Sequence, residues 1–218
     1  MISEAVALTS SDGLQLEATL DSSGSPGAVL LLCHPHPQMG GTMNAPLLLA
    51  LRDEVIARHW AVLRFNFRGI GGSEGESGTG DAEAADVRAG AAFLRERFPG
   101  MPLALGGWSF GAAVAVRMAC ADERLIACFA IAPPVTAKPG VTVGLPPPDE
   151  CNMSCPLLVV VGANDDQISP AECRAWTEQV ATARYVEMGG ANHFFWAKYD
   201  ALVSAVTGFL DGALEKEA

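Results

Sequence analysis

The chain has 218 residues, half of them hydrophobic and 18% charged, with a formal net charge of −11. That is enough apolar material for a sizeable core, and the length suits one α/β domain over residues 1–218. The acidity argues against nucleic-acid and anionic-membrane partners, which need a basic face, and no apolar run approaches the roughly 18–20 residues that span a bilayer.

In chain order, the opening residues Met1-Ile2-Ser3-Glu4-Ala5 hold no basic stretch leading into an apolar one, so no secretory leader is expected and the protein is expected to be cytoplasmic. Leu14, Leu16, Ala18 and Leu20 alternate with Gln15, Glu17 and Thr19, which predicts a strand. Paired with Ala5-Val6-Ala7-Leu8 across Ser11-Asp12-Gly13, it makes an antiparallel hairpin with one wetter face. Ala28-Val29-Leu30-Leu31-Leu32-Cys33 is continuously apolar, as a parallel strand buried on both faces is. A Gly-rich loop follows, then a helix with Pro46 in its first turn and Leu48, Leu51 and Val55 on its inner face. Residues 61–67 read as the next strand. A Gly- and Ser-rich loop runs from Arg68 to Gly80, and a helix over about residues 81–98 has acids in its first turns and Arg95 and Arg97 in its last, matching the macrodipole. Further strands are predicted over 102–105, 125–131, 157–161 and 184–188, with helices over 112–118, 171–180 and 197–214. This alternation gives the α/β class, a mostly parallel sheet of about eight strands with helices on both faces. The six cysteines are scattered through apolar segments and read as free buried thiols. Cys151 and Cys155 are the only close pair and lack the second pair a zinc site needs, and disulfides are not expected.

The stretch Gly107-Trp108-Ser109-Phe110-Gly111 sits between a predicted strand and a helix, the setting in which G-x-S-x-G forms a nucleophile elbow. Holding a Ser hydroxyl at the tip of so sharp a turn puts Ser109 in a sparsely populated backbone region, at about 1–3 kcal/mol. Glycines at 107 and 111 remove side chains that would collide. A Ser nucleophile needs a base, and the base needs an orienting acid. His193 and the neighbours Asp165 and Asp166 follow predicted strands, in the order Ser, Asp, His. Spacing alone does not choose between Asp165 and Asp166.

A tetrahedral intermediate also needs two N–H donors. One is Phe110, the residue after the serine. The other belongs to the loop Cys33-His34-Pro35-His36-Pro37-Gln38-Met39-Gly40-Gly41, where the prolines have no N–H and leave His36 as the natural donor. A metal site on His34 and His36 is the rival reading of this loop. It lacks a third ligand, since His59 falls on an amphipathic helix and His193 is engaged elsewhere. Gly69-x-Gly71-x-x-x-Gly75 is too weak for a dinucleotide fingerprint, because no helix starts promptly after it.

Four motifs together resemble the small α/β-hydrolases with an H-P-H-P-x-x-G-G loop. They are Gly107 to Gly111, Phe65-Asn66-Phe67-Arg68-Gly69-Ile70-Gly71-Gly72-Ser73, His34-Pro35-His36-Pro37 with Gly40-Gly41-Thr42, and Asn192-His193-Phe194-Phe195. The resemblance spans nearly the whole chain. It implies the α/β-hydrolase fold, carboxylesterase-like activity, no cofactor and a Ser-Asp-His triad, and it selects Asp165 as the acid through the G-x-x-D pattern that begins at Gly162. The expected substrate is a small-molecule ester or thioester, and the oligomeric state is not specified.

Lids in such enzymes enter after the sixth strand, here residues 133–156. This stretch is proline-rich and too short for a cap domain, so a stiff rim and an open site are expected. Val141, Val143 and Leu145 either form one wall of an acyl groove, with Met39 and Phe194 on other sides, or pack the rim onto the sheet. A non-catalytic binding protein on the same fold is the alternative from another class.

Overall fold

The computed structural model describes residues 1–78, 80–137 and 143–217. Among them eight strands form one sheet: β1 (Ile2–Thr9), β2 (Gln15–Ser22), β3 (Ala28–Cys33), β4 (Trp60–Phe65), β5 (Leu103–Trp108), β6 (Ala127–Ile131), β7 (Leu157–Gly162) and β8 (Ala183–Met188). Among the described residues there are five α-helices, α1 (Pro46–Ala57), α2 (Glu83–Arg97), α3 (Phe110–Ala119) and α4 (Pro170–Thr177) between strands and α5 (Tyr199–Leu214) after the last one. The order across the sheet is β1-β2-β4-β3-β5-β6-β7-β8. β2 runs antiparallel to both of its neighbours, and every pairing from β4 to β8 is parallel.

The burial follows from the sequence pattern. Every residue of β3, β4, β5, β6 and β7 is buried, whereas the β1–β2 hairpin keeps one wet side. Helices α1 and α5 pack together, as do α2 and α3, and α4 lies against β7 and β8. Pro46 starts α1, and Ser169 caps α4 by accepting from the Glu172 N–H. Among the described residues no helix is long and apolar enough to cross a membrane.

Several expectations need correction. Strand β5 continues through Gly106 and Gly107 to Trp108. Gly106 is required there because a Cβ would enter the Phe129 ring. His59 is past the end of α1, in a left-handed conformation with φ 60°, rather than on the helix. Cys120 and Cys151 form a disulfide with a Cα–Cα separation of 5.2 Å, joining the end of α3 to the loop before β7. Cys33, Cys128, Cys155 and Cys173 are free and buried as expected.

Two acids at the start of α2, Glu83 and Asp86, are fully buried rather than facing solvent. Asp86 binds the Arg68 guanidinium at 2.6 Å and its N–H at 3.0 Å, and Glu83 accepts from the N–H groups of Gly78 and Gly80. Burial pushes the Asp86 carboxyl up while the Arg68 charge opposes the shift. The helix start thus anchors the glycine-rich loop to the sheet.

The rim between β6 and β7 contains no α-helix among the described residues, only a 3-10 turn at Pro148–Glu150. Val143 and Leu145 are buried, with Val143 pressed on Gly80. Arg117 Nε donates to the Gly144 carbonyl and Trp176 Nε1 to that of Pro146, which clamps the rim down. These two apolar residues therefore pack the loop rather than line a groove. Val141 lies outside the described residues.

Candidate active site

The loops that leave the C-terminal ends of β3, β5, β7 and β8 converge, as functional loops do on a parallel sheet. At the end of β5, Ser109 has φ 54° and ψ −119°, a conformation that costs a non-glycine residue about 1–3 kcal/mol. Its N–H donates to the Ile131 carbonyl at 2.7 Å, and its own carbonyl accepts from Ala112 and Ala113, which starts α3. Its hydroxyl makes no capping bond, so a residue at a helix start keeps its side chain available.

The flanking glycines are explained by contacts. A Cβ on Gly107 would lie 2.6 Å from the Gly111 backbone, across the turn. One on Gly111 would instead strike the backbone of Cys33 and His34, so the helix also crosses tightly over the end of β3.

Asp165 and His193 meet. Asp165 Oδ2 accepts from His193 Nδ1 at 2.8 Å, and both side chains are buried. The other carboxylate oxygen, Oδ1, accepts the N–H groups of Gln167 and Ile168 at 2.9 and 2.8 Å. Asp166 is exposed, one residue away. The two loops are laced together, since Asn164 N–H donates to the Ala191 carbonyl at 2.8 Å. Gly162 permits this approach, because a Cβ there would sit 2.5 Å from the same carbonyl. The glycine of the G-x-x-D pattern thus has a physical cause.

Trp108 ties the imidazole loop to the serine turn. Its Nε1 donates to the His193 carbonyl at 3.2 Å and its ring lies 5.9 Å from the imidazole. Sequence reasoning assigns Trp108 no role of its own, although a donor-bearing aromatic beside the serine is a signal that could have found it. Next to His193, the Phe194 ring meets the imidazole edge-on at 5.5 Å and stacks on Trp196 at 5.0 Å. Phe194 and Trp196 are 37% and 66% exposed, while Phe195 between them is buried with φ 53°. That reversal in the backbone turns two neighbours outward. Met39 is 69% exposed on the loop after β3.

The loop after β3 closes on itself. The His36 carbonyl accepts from Met39 and Gly41 N–H, both at 3.1 Å, and the His36 ring rests 5.2 Å from that of Phe110. Among the described residues neither the His36 N–H nor the Phe110 N–H has a hydrogen-bond partner. For Phe110 this is the ordinary state of a first helical residue, whose donor waits for a ligand or water. Both ring nitrogens of His36 are also buried without a partner among the described residues, and burial pushes its pKa down. His34 is fully buried, its pKa lowered by burial to about 4. Its two ring nitrogens are bonded to the Pro35 carbonyl and the Phe67 N–H, so it has no lone pair free for a metal.

A buried carboxylate–imidazole pair, on a loop that Trp108 ties to the turn of a strained serine, is the equipment for drawing a proton from a hydroxyl, and unpaired N–H groups can receive an oxyanion. The eight-stranded, mostly parallel sheet with its surrounding helices is the α/β-hydrolase fold. The chain belongs to the family described as serine aminopeptidase, S33, whose model matches residues 24–151. Among solved structures it is similar to an α/β serine hydrolase without lid from Xanthomonas campestris, at 29% identity and a TM-score of 0.80, over 98% of this chain and 94% of that one. An α/β serine hydrolase homologue from Coxiella burnetii gives 28% and 0.84, over 96% and 98% of the two chains. An uncharacterized protein of Rickettsia prowazekii is 28% identical over 206 residues, covering 90% of this chain and 84% of the relative.

Proposed function

We propose that the protein is a serine hydrolase that cleaves small or short-chain carboxylic esters through an acyl-enzyme. The observation that supports this most is the buried 2.8 Å bond between Asp165 and His193, in a loop tied by Trp108 to the turn of Ser109. Because His193 Nδ1 donates to Asp165, its Nε2 has the lone pair and is the base. His193 takes the Ser109 proton as the hydroxyl attacks the ester carbonyl. The oxyanion is received by the N–H groups of His36 and Phe110. His193 then returns the proton to the leaving alkoxide, and water repeats the sequence on the acyl-enzyme. The strain at Ser109 favours this over a binding protein on the same fold, which gains nothing from it. Nucleophile, base and oxyanion donors all come from the chain, so the route needs no cofactor.

Met39 and Phe194 are the proposed substrate-contacting side chains, on the grounds of their exposure and their position on the two loops. The absence of an α-helix from the described part of the rim supports an open site, accessible to water-soluble esters. Acyl thioesters are the nearest alternative. The family description adds amide cleavage at a free amino terminus. A panel of p-nitrophenyl esters, acyl thioesters and amino-acid p-nitroanilides decides among them. Short esters are expected to turn over best, with Ser109→Ala lowering kcat by about 10⁴- to 10⁶-fold. Preferred cleavage of the anilides would replace the esterase reading with the peptidase one, and a folded Ser109→Ala that keeps its activity would end both.

A further inference from the structure

We propose that His34 is a positioning residue that aims the backbone N–H of His36 at the oxyanion. The inference rests on the hydrolase reading above. The tautomer follows from its partners: the Phe67 N–H, 3.0 Å from Nε2, can only donate, so Nε2 accepts and the ring proton is on Nδ1. Nδ1 donates that proton to the Pro35 carbonyl at 2.7 Å. With a pKa lowered by burial to about 4, the ring stays neutral near pH 7 and both bonds persist.

The Pro35 carbonyl belongs to the same peptide unit as the His36 N–H. No cis peptide occurs among the described residues, and in a planar trans unit the C=O and N–H point in opposite directions. Fixing the carbonyl with the His34 ring therefore fixes the direction of the donor. A donor to the carbonyl also polarises the unit and strengthens its N–H.

Gly41 supports the same assignment from outside the ring. A Cβ at position 41 would collide with the Pro35 carbonyl, lying 2.6 Å from its carbon, so that carbonyl is confined between Gly41 and the His34 ring. The far side of the ring is tied through Phe67, whose side chain meets His34 edge-on at 4.8 Å and Phe110 at 5.6 Å. One imidazole thus joins the loop that leaves β4 to the peptide that holds one oxyanion donor.

The test exploits the two nitrogens separately. In His34→Asn the amide N–H stands where Nδ1 was and retains the bond to Pro35, leaving the Phe67 N–H unpaired. In His34→Gln the amide oxygen reaches the place of Nε2 and retains the bond to Phe67, leaving the Pro35 carbonyl unpaired. Each variant loses one buried hydrogen bond, so a merely structural role predicts similar losses in both. A positioning role predicts that His34→Gln lowers kcat on p-nitrophenyl acetate by roughly 10- to 100-fold with KM little changed, short of the about 10²–10³ for deleting a donor outright. Affinity for a trifluoromethyl ketone, which forms a tetrahedral adduct on serine, should fall in parallel. His34→Asn should recover at least about tenfold in kcat over His34→Gln, the smallest rescue that a misaimed donor implies. Equal kcat in the two variants, or losses that track melting temperature alone, would overturn the proposal. If both variants fail to fold, Gly41→Ala displaces the same carbonyl and should lower kcat more than it raises KM; wild-type kcat in a folded Gly41→Ala would overturn it. Fluorophosphonate labelling of the wild type separates this failure from that of the hydrolase reading. A labelled enzyme with equal variants removes only the role of His34, and an unlabelled one removes both.

Discussion

Replacing Asp165 by Asn tests the carboxylate's role through one atom. Its Oδ1 accepts two backbone N–H groups, from Gln167 and Ile168, and its Oδ2 faces His193. An amide has one oxygen for these three donors. Turning that oxygen toward His193 would set the amide N–H₂ against both backbone donors and strand two of them, at about 1–3 kcal/mol each. The opposite orientation satisfies both and sets the amide N–H₂ against His193 alone. The imidazole answers by moving its proton from Nδ1 to Nε2, which removes the base. The same logic in a serine protease triad costs about 10⁴ in kcat, or 5–6 kcal/mol of transition-state stabilisation. We expect a loss of that order for Asp165→Asn on p-nitrophenyl acetate near pH 7.5, with the melting curve recorded as a control for folding. Asp166→Asn, at an exposed position, should stay within about threefold. The reverse ranking would show that the acid has been assigned one residue out of place.

Other consequences follow from burial and exposure. Burial holds His34 near pKa 4 against about 6.5 in the unfolded chain, so between these values the unfolded state binds more protons. Stability should therefore decline as pH falls from about 6.5 to 4, by at most about 3 kcal/mol from this group, and urea titrations should show a flatter profile for His34→Gln. Equal slopes would mean that His34 is charged in the folded protein. Met39→Ala and Phe194→Ala should raise KM for short esters more than they lower kcat, as steady-state kinetics would show. Rates measured across the critical micelle concentration of a longer ester should rise smoothly, and a sharp jump would demand a moving lid in place of a fixed rim.

The elements that the sequence predicts well are those whose burial is encoded locally. The apolar run 28–33 and the alternation in 14–20 state how many faces of each strand are covered, and the structure agrees. The serine turn was equally legible, because its glycines and the following helix former are consecutive. Features set by distant partners were not legible. Gly106 reads as a strand breaker until the Phe129 ring occupies the space of its side chain. Glu83 and Asp86 read as dipole partners at a helix start. Their burial depends on donors in the preceding loop and on Arg68, with only the run of glycine N–H groups as a hint. The Cys120–Cys151 pair spans 31 residues with no local signature. The choice of Asp165 over Asp166 rested on a resemblance, whereas the structure supplies a carboxylate directed at His193 and a glycine that lets the loops meet.

The central claim is that Ser109 is the nucleophile of an acyl-transfer reaction, and covalent capture tests it most directly. The folded protein is treated with a fluorophosphonate, and the adduct is followed by intact mass and located by peptide mapping. The account predicts one adduct, on Ser109, with loss of esterase activity in step with labelling and no adduct in Ser109→Ala. A folded protein that resists the probe, or one labelled elsewhere while its activity persists, would contradict it.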